Sequence, residues 1–394
     1  MRKFFLPAVA FFVLPHLSLC QSGLIGQNIP AYTNDDCGGS HPASLANSAK
    51  SGDVWQSCNT PSTDNPAWLA HDLSKVPTAN RSKVLLFWTN DVFTAIYDHR
   101  VSGPYYKNED VGYDNVGSYY LQANVAPGGT LPASGWVTLP GTTVSHNTYH
   151  SRQHVLNLAG YNWVRFVATA SDGTKDNMGV ALHMDLYDAS QGLADDWIFY
   201  GDSITQGSMD HKPKTCSLGS GSFSELIHAH KPQSLPIQES GGIGGLLSAD
   251  GAAHIQEWLK LFPGKYVVLS YGANDAWNCV EPEIFRKNYQ VMIDAALAAG
   301  KTVVIPTSIT WSSKIANIQK CGPVINQELQ NLFKAYPQII HGPDFWPYFK
   351  NHPGLLSQDG VHPSEPEGMF AYRKMWADAM LAVVYSNASK PGAR

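Results

Sequence analysis

The stretch that most constrains this chain is Trp197-Ile198-Phe199-Tyr200-Gly201-Asp202-Ser203-Ile204-Thr205-Gln206-Gly207. An apolar run of strand-forming residues stops at Gly-Asp-Ser, and small polar residues and a second glycine follow. A buried strand of an α/β sheet reads this way when it ends in a tight turn. A serine there lies at the carboxyl end of a strand, where open α/β sheets place their ligands. The turn is not a Gly-x-Ser-x-Gly elbow, because Thr205 stands where the second glycine belongs.

At 394 residues the chain exceeds the usual single domain, so two domains are expected. With 43% hydrophobic and 15% charged residues it is a globular chain. Its net charge of -5 offers no basic surface for nucleic acid or anionic lipid. Residues 1–20 read as a signal peptide. Arg2 and Lys3 precede an apolar run from Phe4 to Leu14, too short to span a bilayer, and Ser18-Leu19-Cys20 supplies small residues for cleavage before Gln21. A lipoprotein signal would anchor at Cys20, but Leu19 is the wrong neighbour. The expectation is a secreted protein, extracellular or periplasmic, with no membrane span. In an oxidising compartment Cys37 pairs first with Cys58, then Cys279 with Cys321, leaving Cys216 odd.

Residues 21–186 read as an all-β domain. The runs Trp68–Leu73, Lys83–Thr89, Phe93–Tyr97, Ser118–Asn124, Trp136–Leu139, Trp163–Ala168 and Gly179–Leu186 are short and rich in β-branched and aromatic residues. Gly, Pro and Asn turns separate them, which points to a sandwich or jelly roll. His146, His150 and His154 are spaced as zinc ligands on a helix would be. Asn147, Thr148, Tyr149 and Ser151 are poor helix formers, and on a strand that spacing spreads the rings roughly 13 Å apart. No metal and no cofactor is expected.

Residues 187–195 read as a linker, and from 196 to 388 strand and helix alternate. Strands are expected at Trp197–Tyr200, Leu235–Gln238, Tyr266–Ser270, Thr302–Pro306 and Gln338–His341. Ser248 reads as the cap of a helix facing inward with Ala252, Ile255, Leu259 and Phe262. A second helix presents Phe285, Tyr289, Met292 and Ala296 and stops at Gly300. Ser364-Glu365-Pro366-Glu367 reads as a capping box opening the last helix, with Met369, Tyr372, Trp376 and Met380 inward. The fold class is therefore α/β: a three-layer sandwich on a five-stranded parallel sheet, behind a β domain.

Four segments fall at strand ends or in the last loop: Ser203, Ser240–Gly245, Tyr271–Asp275 and Asp359–Pro363. Together they suit acyl transfer. Ser203 is a weak nucleophile until His362 takes its proton, and Asp359, three residues earlier, can orient the imidazole. The N–H groups of Ser203 and Gly245 and the amide of Asn274 can cradle an oxyanion, each donor contributing about 3 kcal/mol in the transition state. Read singly, Asn274 is equally a turn residue, Asp359 an Asx turn and His362 a packing residue.

These four blocks resemble those of the SGNH (GDSL-type) esterases and lipases: Gly201-Asp202-Ser203, the glycine segment ending at Gly245, Gly272-Ala273-Asn274-Asp275, and Asp359-x-x-His362. The resemblance implies nucleophile Ser203, base His362, orienting acid Asp359 and oxyanion donors Ser203, Gly245 and Asn274. It departs at Ser240, where many members carry asparagine, which leaves Gly242 and Gly245 in competition as donor. Residues 50–187 are similar to the galactose-binding-like jelly rolls of the discoidin type, through Trp68–Leu73, Ser134–Val137 and Tyr161–Phe166. A jelly roll ahead of such a domain is similar to the layout of carbohydrate esterases that deacetylate plant polysaccharides. That layout implies removal of O-acetyl groups from an acetylated polysaccharide or oligosaccharide, with Trp277 and Trp311 lining the substrate pocket. The alternatives are a secreted lipase or broad acyl-esterase, and a sugar-binding protein whose hydrolase domain is inert.

Overall fold

The computed structural model describes residues 24–48, 54–89, 115–147, 151–171, 179–190, 195–209, 221–231, 234 and 236–386. The signal segment, the Phe93–Tyr97 run, His150 and Cys216 lie outside them.

Two antiparallel sheets form the first half. The five-stranded sheet holds β1 (Ala31–Thr33), β3 (Ala67–Asp72), β8 (Trp163–Ser171), β5 (Val116–Asn124) and β6 (Val137–Thr138), in that order. The four-stranded sheet runs β2 (Trp55–Gln56), β9 (Ala181–Asp188), β4 (Val84–Thr89) and β7 (Ser151–Leu156). Strict alternation makes them face each other. Leu69, Leu121, Val164 and Phe166 from one sheet share a core with Val84, Leu86, Trp88, Leu182, Met184 and Leu186 from the other. Trp88 packs edge-on to Tyr119 and Phe166 within it. The opposite face of the four-stranded sheet carries Leu85, Phe87 and Tyr187, which bury against Ile237 of the second half. Gln153 of β7 also hydrogen-bonds Glu239 there.

The histidine spacing builds no common site among the described residues. His154 lies on β7 with its Nε2 2.7 Å from the Tyr119 hydroxyl, while His146 sits in a turn at φ 53°. Burial, joined by the Arg152 charge, pushes the His154 ring down to about 4, so it is neutral near pH 7.

The second half is a parallel sheet in the order β11 (Ile237–Gly242), β10 (Asp196–Gly201), β12 (Tyr266–Ser270), β13 (Thr302–Ile305) and β14 (Ile340–His341). On one side α3 (Ser248–Leu261) packs on α5 (Pro282–Ala298), and α5 on α6 (Ala316–Ala335). The α2 helix (Phe223–His230) packs on α8 (Glu367–Val383). The sheet is buried on both faces, as its near-continuous apolar strands require. Chain order reverses at β10: its successor β11 lies on one side and β12 on the other. The gap between the carboxyl ends of β10 and β12 is therefore the topological switch point.

Several local readings change. The glycine segment does not begin after a strand ending at Gln238; β11 continues to Gly242. A side chain at residue 241 would meet the Tyr200 ring at 2.7 Å, so glycine here serves close packing inside the sheet. The α3 helix is capped at Leu247, whose N–H donates to Asp250 at 2.8 Å, and Ser248 is already helical. Before α8 no capping box forms: Pro366 holds the cap position and makes no side-chain cap bond. There the Met369 N–H reaches the Ser364 carbonyl instead, at 3.0 Å. Tyr372, Trp376 and Met380 are buried as expected, whereas Met369 is half-buried. The polar connector is shorter than read, because β9 runs to Asp188 and β10 starts at Asp196.

Both expected disulfides are present, Cys37–Cys58 and Cys279–Cys321. No helix among the described residues is long and apolar enough to cross a membrane.

Candidate active site

The turn after β10 admits only glycine at 201. An added Cβ would lie 2.2 Å from Thr205 Oγ1 and 2.8 Å from the Ser270 carbonyl. Asp202 then caps the short helix α1 (Ser203–Ser208), accepting the Ile204 N–H at 3.0 Å. Capping from the residue before it turns Ser203 toward the switch point, where it stays partly open to solvent.

The last loop brings His362 to it. Ser203 Oγ lies 2.8 Å from His362 Nε2, across 159 residues of sequence. His362 Nδ1 lies 2.6 Å from Asp359 Oδ2. A neutral imidazole that donates from Nδ1 to the carboxylate has its Nε2 free to accept the serine proton. The loop is held by its own acid. Asp359 Oδ1 accepts the N–H groups of Val361 and His362 at 2.8 and 3.0 Å and the Ser357 hydroxyl at 2.6 Å. The turn-forming and orienting readings of Asp359 are therefore both satisfied, one by each oxygen. Burial alone would push this carboxyl up. The Ser357 hydroxyl, the His362 ring and the two N–H groups outweigh it and hold the group well below the usual carboxylate range.

The single-turn helix α4 (Ala273–Trp277) comes after β12 and carries Asn274 at its second position. It follows Gly272, whose φ of 130° belongs to glycine and whose missing side chain spares Ile309, 2.6 Å from where a Cβ would be. Asn274 is 9% exposed, and one amide hydrogen goes to the Leu246 carbonyl at 3.0 Å. That bond ties it to the glycine loop. The two glycines differ in their packing. Gly242 pairs with Gly201 in the sheet and lies against α1, where a Cβ would meet the Gln206 nitrogen at 2.2 Å. Gly245 sits in the turn beyond, at φ 79°, and its N–H has no hydrogen-bond partner among the described residues. Ser203 N–H, at the first position of α1, has none there either.

Trp277 and Trp311 are half-buried and pack against the core of the second half. Trp277 ends α4 just past Asn274. Trp311 precedes Ser312 and Ser313, both of which donate to the Gly360 carbonyl at 2.8 Å and so fasten that segment to the histidine loop.

Sequence reading passed over Asp202. Burial pushes its carboxyl up to about 6, opposed by the Ile204 and Thr205 N–H groups and the His362 charge and reinforced by Asp275. A folded chain whose carboxyl titrates near 6 keeps a proton that the unfolded chain releases near 3.8. The stability from this group is therefore complete below pH 3.8 and is lost as pH rises through about 6. Asp202→Asn should gain urea-midpoint stability relative to the parent between pH 4 and pH 7. A difference that stays constant over that range would contradict this account.

Residues 199–366 match the model of the GDSL-like lipase/acylhydrolase family. The matched stretch contains Ser203, Asn274, Asp359 and His362, and the match supports a hydrolase acting on esters. Solved structures similar to the chain include a lipolytic G-D-S-L family protein from Veillonella parvula DSM 2008. It shares 18% identity over 48% of this chain and 98% of that one, with a TM-score of 0.37. The acetyl xylan esterase AlAXEase shares 22% over 48% and 99%, with a TM-score of 0.37. An acetyl-xylooligosaccharide esterase from Geobacillus stearmophilus shares 19% over 48% and 93%, also at 0.37. Among curated proteins none matches.

Proposed function

We propose that the chain is a secreted serine esterase that removes O-acetyl groups from a carbohydrate through an acetyl-enzyme on Ser203. The observation that carries this reading is the unbroken line from Ser203 Oγ to His362 Nε2 and from His362 Nδ1 to Asp359 Oδ2. Ser203 Oγ attacks the ester carbonyl while His362 takes its proton, and Asp359 stabilises the imidazolium that forms. The tetrahedral oxyanion is met by the N–H groups of Ser203 and Gly245 and by the second amide hydrogen of Asn274. The sugar alkoxide leaves with the proton from His362. Water, deprotonated by the same ring, then releases acetate and restores Ser203.

The acyl length and the sugar are the finer part of the proposal. In this reading the half-buried indoles of Trp277 and Trp311 line the substrate pocket, where the flat face of an indole suits a sugar ring. Secretion is supported by the N-terminal apolar segment and the two disulfides.

A panel of acetylated oligosaccharides and polysaccharides, beside synthetic esters from acetate to octanoate, tests the reading. Hydrolysis should be fastest for acetyl esters and fall steeply with chain length. A rate that climbs toward octanoate would instead assign a lipase or broad acyl-esterase.

A further inference from the structure

Two loops meet behind Ser203. One leaves β11 through Ile243, Gly244 and Gly245 and enters α3; the other leaves β12 and carries Asn274. They are joined twice. The first link is the Asn274 amide on the Leu246 carbonyl. The second comes from the neighbouring residue. Asp275 is fully buried, and its carboxylate spans the gap to Ser248, accepting the Ser248 hydroxyl at 2.6 Å on Oδ1 and its N–H at 3.0 Å on Oδ2. Asn288 of α5 completes the joint by donating to Ser248 Oγ at 3.0 Å.

Nothing about the chemical steps requires an acid at 275, and its bonds do not reach Ser203, His362 or Asp359. Burying a carboxylate is costly unless hydrogen bonds replace its water, and apolar residues of similar volume could fill the same space without that cost. What the carboxylate adds is direction. Ser248 stands at the positive end of α3, where an anion is favoured, and its N–H is one of the helix's unpaired donors. The loop before it contains two consecutive glycines, the residues that lose most freedom on ordering. A fixed point directly after that loop restricts where the Gly245 N–H can aim.

We propose that Asp275 is a positioning residue: acting through Ser248, it fixes the spacing between the Gly245 N–H and the Asn274 amide, and so sets the shape of the oxyanion hole. The inference rests on the proposed reading of those two groups as oxyanion donors. A donor displaced by about 1 Å can lower the rate about 10²-fold without altering how substrate binds.

Steady-state kinetics on an acetyl ester, with thermal unfolding in parallel, test it in Asp275→Ala, Asp275→Asn, Ser248→Ala, Asn274→Ala and the Asn274→Ala/Asp275→Ala pair. Asp275→Ala should lower kcat about 10- to 100-fold with KM within about twofold. Asp275→Asn should recover part of the loss, since its carbonyl still accepts the Ser248 hydroxyl. The double variant should lose less than the product of the two single losses. If Asn274→Ala keeps its kcat, the oxyanion reading itself fails. If Asn274→Ala is impaired while Asp275→Ala keeps kcat, or the two losses multiply, only the positioning role is overturned. Should Asp275→Ala not fold, Ser248→Ala decides: folded protein with the parent kcat contradicts the proposal.

Discussion

Replacing Ser203 with alanine is expected to lower kcat for ester hydrolysis by about 10⁴-fold or more, with thermal stability near that of the parent. The side chain is partly exposed and its hydrogen-bond partner among the described residues is the His362 ring, so little packing is lost. The remaining activity would come from the oxyanion donors and substrate binding, which alone leave about 10³-fold over water. Initial rates on an acetyl ester, with a melting curve as control, measure both. A variant that keeps its rate would make the hydrogen-bonded line from 203 to 362 a structural feature and favour an inert hydrolase domain with a binding role.

Asp359→Asn should lower kcat by about 10²- to 10³-fold. An amide at 359 can turn its carbonyl or its NH₂ toward the ring but no longer offers two acceptors. One oxygen now takes the backbone N–H groups of 361 and 362 and the Ser357 hydroxyl, and the other takes the ring. Losing either set loosens the loop or favours the wrong imidazole tautomer, the second of which costs about 10⁴-fold where the acid is deeply buried. Here the carboxylate is 49% exposed, so water partly substitutes and the loss is smaller. Because the loop bonds hold Asp359 ionised well below neutral pH, an acid fall in activity does not come from this carboxylate. A loss confined to KM would contradict the orienting role.

The hydrogen-bonded line from Ser203 through His362 to Asp359 was legible because each part is a local pattern with its own punctuation: a strand stopped at Gly-Asp-Ser, and an acid three residues ahead of a histidine before a helix. The tertiary fold then only had to bring two turns together. What escaped depends on partners distant in sequence. Ser248 carries the signature of a cap, yet its hydroxyl and N–H go to Asp275, 27 residues away, leaving the cap to Leu247. Gly241 and Gly242 read as loop residues because glycine weakens strands, but Tyr200 and α1 press so close that only glycine lets β11 continue. The difference between Gly242, pressed against α1, and Gly245, in the turn beyond, is likewise a matter of packing that periodicity does not record.

The most direct measurement is mass spectrometry of the intact protein, quenched in acid within the first turnovers of an activated acetyl ester and followed by peptide mapping. The account predicts one added acetyl group per chain, on the peptide holding residue 203, absent from Ser203→Ala and lost again on longer incubation. Rapid hydrolysis with an acetyl group found on another side chain, or with none on a chain shown to turn over by rate-limiting deacylation, would contradict it.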